Sequence, residues 1–169
     1  MSISNLMAGT NSTLHNEFYA PKCAWENIQH LIPKDKILWE VWAGSGMVKD
    51  YLTELGYTFC DSRFLFETDV DIVIVSNPPF SINQALLKTL FEWGKPFIMI
   101  LPQDVMDMAY FHKLNKQYGD IQFIVPQEDI PFAICVDGVV NYTAKYSTEI
   151  CSFYFCWKMN LDSDLTFLE

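Results

Sequence analysis

Ile72-Val73-Ile74-Val75-Ser76-Asn77-Pro78-Pro79-Phe80 runs from an apolar segment into a rigid turn, and a helix-compatible stretch follows from Ser81. A short β-branched run bounded by turn signals reads as a buried strand. The turn therefore sits at the carboxyl end of that strand, where open α/β sheets bind their ligands. Two consecutive prolines fix φ and remove two backbone donors, so the turn presents carbonyls outward. Asn77 adds an amide oxygen, and Phe80 adds a flat apolar ring. Acceptors beside a stacking surface suit an exocyclic amino group on a heteroaromatic ring.

Upstream, Lys36-Ile37-Leu38-Trp39 has an apolar strand pattern and leads into Glu40-Val41-Trp42-Ala43-Gly44-Ser45-Gly46. A helix-compatible stretch from Met47 to Leu55 follows, so strand, glycine turn and helix form the first half of a nucleotide-type α/β unit. The glycines let the backbone approach a ligand, and Glu40 places a carboxylate at the strand's end. The third glycine of a dinucleotide fingerprint would fall at Lys49, which disfavours NAD, and no phosphate-loop motif is present. A second short strand, Tyr57-Thr58-Phe59-Cys60, ends at Asp61, whose carboxylate can accept both hydroxyls of a ribose. An Asp ending a turn is also a common local cap, so that role rests on its order relative to Gly44 and Asn77. Further upstream, Phe18-Tyr19-Ala20-Pro21 reads on its own as an aromatic staple under a helix from Cys23 to Leu31.

Asn77-Pro78-Pro79-Phe80 resembles the (Asp/Asn)-Pro-Pro-(Tyr/Phe/Trp) motif of S-adenosylmethionine-dependent DNA adenine N6-methyltransferases, in particular their compact phage or viral members. The similarity spans roughly residues 16–158, with the aromatic-Pro segment, glycine turn, acid and Pro-Pro motif in the same order. It implies an α/β, Rossmann-like class I methyltransferase fold whose mostly parallel sheet closes with a reversed C-terminal edge hairpin. It further implies methyl transfer from S-adenosylmethionine to the exocyclic amino group of adenine in nucleic acid, DNA before RNA. Asn77, Pro78, Pro79 and Phe80 would be catalytic. Phe18, Tyr19, Pro21, Glu40, Ala43, Gly44, Gly46, Asp61 and Asn77 would hold the cofactor. One departure stands out: compact relatives carry an Asp just before Phe-Leu facing the cofactor's adenine, and here that position is Arg63. Asp69 or Asp71 are the substitutes at hand, and Phe64-Leu65-Phe66 is a vestigial third strand.

The mechanism implied asks for geometry more than for acid–base chemistry. Adenine's amino lone pair is delocalised, so Asn77 Oδ1 and the Pro78 carbonyl would accept its N–H bonds and draw the nitrogen towards tetrahedral geometry. Such pre-orientation can be worth up to about 7 to 11 kcal/mol. In a duplex the base must first leave the stack, at a cost of a few kcal/mol that stacking on Phe80 partly offsets.

Beyond the motif, Ser81 to Trp93 reads as a helix with apolar positions at Ile82, Ala85, Leu86, Leu90 and Phe91, and Pro96 to Pro102 as the next buried strand. Ile121–Val125 and Cys151–Trp157 are apolar segments joined by a polar connection, the expected reversed hairpin. A chain of 169 residues, 50% hydrophobic and 15% aromatic, supports one core. We expect an N-terminal extension over 1–15, a single domain over 16–169, and no separate target-recognition domain. No apolar run has the length of a membrane span and no signal-peptide pattern opens the chain, so the expected setting is intracellular, the host cell if viral. Five scattered cysteines fit reduced thiols, and His15, His30 and His112 lack partners at ligand spacing, so no metal is expected.

Charge argues against tight intrinsic binding of nucleic acid. Eleven basic residues against twenty-one acidic ones leave a net −10, whereas affinity for phosphates comes from Lys and Arg. Lys22, Lys113 and Lys116 are candidates for a local basic groove, and a helper protein or second subunit is expected to supply the rest. Two other classes fit parts of the pattern. A protein glutamine N5-methyltransferase shares an Asn-Pro-Pro motif, and a non-catalytic methyltransferase-fold binding subunit accommodates the acidity and Arg63.

Overall fold

Side chains along the central strands alternate between two faces, and this alternation builds the molecule. The computed structural model describes residues 18–42, 46–60, 71–136, 139–141 and 150–169. Among them, a seven-stranded sheet contains β2 (Ile37–Glu40), β3 (Thr58–Phe59), β4 (Ile72–Ser76), β5 (Phe97–Pro102), β6 (Ile121–Val125), β9 (Ser152–Trp157) and β10 (Leu165–Phe167). Its order is β10-β6-β9-β5-β4-β2-β3, with every pairing parallel except those of β9. A smaller antiparallel sheet joins β1 (Phe18–Tyr19), β7 (Ala133–Val136) and β8 (Val139–Asn141).

Among the described residues four α-helices cover the large sheet, two on each face. Leu38, Val73, Val75, Ile98 and Ile100 pack with Trp25 and Ile28 of α1 (Lys22–Ile28) and with Leu52 of α2 (Met47–Glu54). Their chain neighbours Trp39, Ile74, Phe97 and Met99 face the other way, onto Leu90 and Phe91 of α3 (Asn83–Trp93) and Phe111 and Leu114 of α4 (Ala109–Tyr118). Strands buried on both faces are near-continuously apolar, as β4 is up to Ser76 and β5 is throughout. Each large aliphatic side chain so buried contributes about 1.5 to 3 kcal/mol.

Local chemistry sets the helix ends. Gly94 adopts φ +77° and donates its N–H to the carbonyls of Leu90 and Phe91, closing α3 with a left-handed cap. Gly46 opens α2 at φ +80°, and a Cβ there would meet nothing within 4 Å. Backbone conformation, not crowding, therefore requires glycine at that position.

Several expectations are corrected. The antiparallel pair β6 and β9 is present, but it is not an edge hairpin. The reversed strand β9 lies inside the sheet between β5 and β6, and β10 adds an outer strand parallel to β6. The connection between β6 and β9 carries β7, which pairs with β1, and β8, which pairs with β7. On α3 the buried stripe is Leu86, Leu87, Leu90 and Phe91, and Ala85 is exposed. Residues 1–15 and the Phe64-Leu65-Phe66 segment lie outside the described residues.

Candidate functional site

Strand order locates a crevice. From β2 the chain passes through α2 to β3 on one side, and from β4 it passes through α3 to β5 on the other. The two adjacent strands β2 and β4 thus send their connections to opposite faces and opposite sides, which opens a topological switch point at their carboxyl ends. Glu40 ends β2 opposite Val75 of β4. Asn77 follows one residue after β4, and Ser76 Oγ donates to the Trp42 carbonyl at 3.4 Å, a loose link between the two turns.

The Asn77 amide has a defined orientation. Its Nδ2 donates to the Phe18 carbonyl at 2.6 Å. A carbonyl only accepts, so the amide oxygen must point elsewhere. Oδ1 is buried and has no hydrogen-bond partner. Leaving a buried acceptor unpaired costs about 1 to 3 kcal/mol, which is retained where the acceptor awaits a donor. Among the described residues the buried side-chain polar atoms without a partner are Trp25 Nε1, Asn77 Oδ1 and Asn83 Oδ1. Two of the three therefore belong to the turn after β4 and the helix it opens.

Phe80 is not an open platform. Its ring stacks on Phe18 at 5.6 Å and 15°, and Phe132 meets both rings edge-on at 5.9 and 6.2 Å. The small sheet carries two members of this cluster, because Phe18 is in β1 and Phe132 immediately precedes β7. Phe18, expected to line a cofactor pocket, clamps the Asn-Pro-Pro-Phe turn with both its carbonyl and its ring. Pro78 is buried and Pro79 half-buried, which anchors the turn. Tyr19 is half-buried in the same strand, and Pro21 sits at the start of α1.

Among the described residues, Glu40 is a carboxyl strongly changed by its surroundings. It is 7% exposed, and its Oε2 accepts the backbone N–H of Lys49 in the first turn of α2 at 3.2 Å. A carboxylate at a helix N-terminus serves as a cap. Burial nevertheless dominates and pushes its pKa up to about 8, with the Lys49 N–H pulling down and nearby Asp50 pushing up. A bound cation is what would restore its charge. Ala43, Gly44 and Asp61 lie outside the described residues, as do Arg63 and Asp69. Asp71 pairs with Lys36.

Two clefts open along the carboxyl edge. One, of about 450 Å³, lies between the turn after β4 and the segment from β5 to α4, and is lined by Phe80, Asn83, Gln84, Asp104 and Tyr110 among others. The other, of about 710 Å³, lies beyond β6, where α1 faces Glu128, Asp129 and Phe167. The buried polar group of the larger cleft is satisfied, because Tyr154 Oη donates to the Ala24 carbonyl at 2.6 Å. The smaller cleft contains both Phe80 and the unpaired Asn83.

No family model matches the chain, and no curated protein matches it at a significant level.

The remaining groups constrain the chemistry. Lys22 is engaged by Glu54 and Glu26, and Lys88 by Glu92, so much of the small basic complement is locally neutralised. Lys113 and Lys116 are exposed on α4. Cys23, Cys151 and Cys156 are free thiols. Among the described residues no group of three His, Cys, Asp or Glu could hold a metal, and no helix is long and apolar enough to cross a membrane. Sequence reading passed over Asn83, whose identity became informative only once its burial was known, and Phe132, which lies 52 residues from Phe80. The spacing of Asn83 from the Pro-Pro turn was the one available signal.

Proposed function

We propose that this chain transfers a methyl group from S-adenosylmethionine to the exocyclic amino group of adenine in nucleic acid, on a Rossmann-like methyltransferase fold. The observation that carries the reading is the fixed Asn77 amide, whose donor is taken by Phe18 and whose buried acceptor is unpaired at the switch point. An acceptor held in that way is matched to an N–H. The Pro78 carbonyl offers a second acceptor in the same turn, and the seven-stranded sheet with one reversed inner strand supports the fold assignment.

The groups present fit the cofactor. Glu40 is a buried carboxyl at the strand end beside the first turn of α2, suited to a cation, and Gly46 opens that helix in the left-handed conformation. Bound S-adenosylmethionine would supply an electrophilic methyl group on a sulfonium. The chain's own part is to hold the amino group and its ring, exclude water and fix the line of approach. Asn77 cannot ionise, so the proton lost from the amino nitrogen passes to solvent.

The test is methyl transfer from labelled S-adenosylmethionine to DNA, RNA and protein pools, followed by nucleoside and amino-acid analysis. Label in N6-methyladenine is the expected result, with Asn77→Ala lowering transfer by a factor on the order of 10² or more while cofactor binding persists. Label in glutamine, or full transfer by Asn77→Ala, refutes the reading. The closed Phe18–Phe80 stack favours a second reading, a non-catalytic binding subunit, for which cofactor would bind without turnover on any pool.

A further inference from the structure

Asn83 is 6% exposed, lines the 450 Å³ cleft, and has a buried Oδ1 with no partner. It is the first residue of α3, where an Asn side chain often caps the helix, but Ile82 holds the cap position. Its backbone N–H donates to the Phe80 carbonyl, so local structure uses the main chain of Asn83 and leaves the amide oxygen idle. A Leu would fill this buried position without the penalty of an unpaired acceptor. The amide thus stands at the wall of the cleft with its acceptor unused.

The other walls indicate what enters. Phe80, Val105 and Met108 provide apolar packing, and Asp104 and Tyr110 add a carboxylate and a phenol at the opposite side. Burial, then the nearby Asp104, raises the pKa of Tyr110, so its hydroxyl stays protonated as a donor. The volume lies within the range of small-molecule sites, which combine apolar walls with a few polar groups. A neutral amide can pair with the donor–acceptor edge of an amino-bearing base, as Asn does with adenine.

We propose that Asn83 is a ligand-contacting residue of a base pocket beside the Pro-Pro turn, its amide pairing with the edge of a nucleobase seated in the cleft next to Phe80. The proposal rests on the nucleic-acid reading of the same turn but does not require methyl transfer. It gives the buried amide a partner and gives the cleft a ligand class, a planar nitrogen heterocycle bearing an N–H donor.

The experiment is a titration of 9-methyladenine into the isotope-labelled full chain, followed by magnetic resonance, on wild type, Asn83→Leu and Asn83→Ala. Saturable shifts should appear at Asn83, Phe80 and Tyr110, and both variants should weaken binding about three- to tenfold, the effect of losing one neutral hydrogen-bonding partner. Asn83→Leu should also melt higher than wild type, because it removes an unpaired buried acceptor without opening a cavity. Shifts confined to another surface, or unchanged affinity in a folded Asn83→Leu, overturn the proposal. An Asn83→Leu chain that melts lower also overturns it, by showing that the amide has a structural partner. Binding with these shifts but no methylation of any pool would leave Asn83 in this role and refute the transferase reading alone.

Discussion

Replacing Glu40 with Gln should remove a pH dependence of stability. Burial holds the Glu40 carboxyl at about 8 in the folded chain against an ordinary value of 4.5. Between those values the folded state binds the proton more tightly than the unfolded chain does, so folding stability falls as pH rises through the window and levels off above its upper end. At pH 7 the penalty is about 3 kcal/mol, at 1.36 kcal/mol per unit. Gln keeps an oxygen for the Lys49 N–H and carries no charge. Glu40→Gln should therefore match the wild type near pH 4.5 and exceed it by up to about 3 kcal/mol at pH 7. Urea unfolding from pH 4.5 to 8.5 on both chains measures the difference. A constant gap across that range would mean that Glu40 ionises freely, and the argument from burial would fail. The same linkage reaches the cofactor: a bound sulfonium stabilises the carboxylate, so binding at pH 7 should release close to one proton in the wild type and none in Glu40→Gln. Calorimetry in buffers of different ionisation enthalpy reads that number directly.

Phe18→Ala should uncover the face of Phe80 while leaving the main-chain carbonyl that orients Asn77, so capture of an adenine analogue strengthens although the chain loses two ring pairs, each worth about 0.5 to 1.5 kcal/mol. Fluorescence titration with 2-aminopurine checks it, and weaker capture would mean that Phe18 itself contacts the base. Phe80→Ala should weaken the same capture by roughly 1 to 3 kcal/mol, whereas Phe80→Tyr and Phe80→Trp keep a flat ring and should retain it. Duplex DNA should bind the isolated chain weakly at physiological salt and more tightly as salt is lowered, as fluorescence anisotropy would report; tight, salt-insensitive binding would contradict the charge argument.

The elements legible in the sequence are those whose signal is local. The β4 strand, its Pro-Pro turn and α3 form one continuous stretch from an apolar run through fixed φ to a 3.6-residue period. The α4 helix was passed over because only Phe111 and Leu114 of its ten residues are buried, too sparse a stripe to stand out. The β10 strand is three residues long and leaves Leu165 and Phe167 exposed, so it lacks the alternation of a half-buried strand. The insertion of β9 between β5 and β6 follows from long-range pairing that apolar runs alone do not encode. Ile121–Val125 and Cys151–Trp157 look the same whether they form an edge or an interior pair.

At the site the same division holds, and it bears on mechanism. Asn77 as an acceptor was legible from residue type, but an isolated amide has two orientations and only one of them offers oxygen to a ligand. Phe18, 59 residues earlier in the chain, resolves this by accepting from Nδ2. The same residue covers the ring that a substrate would stack on. Orientation of the acceptor and closure of the platform are thus vested in one residue, the first through its backbone and the second through its side chain. Rotation of the Phe18 side chain about χ1 can expose Phe80 while the carbonyl remains bonded to Asn77. Admission of a planar ligand then need not disturb the preorganised amide, and the cost of opening is confined to the two ring contacts that Phe18 makes with Phe80 and Phe132 rather than spread over the sheet that holds it.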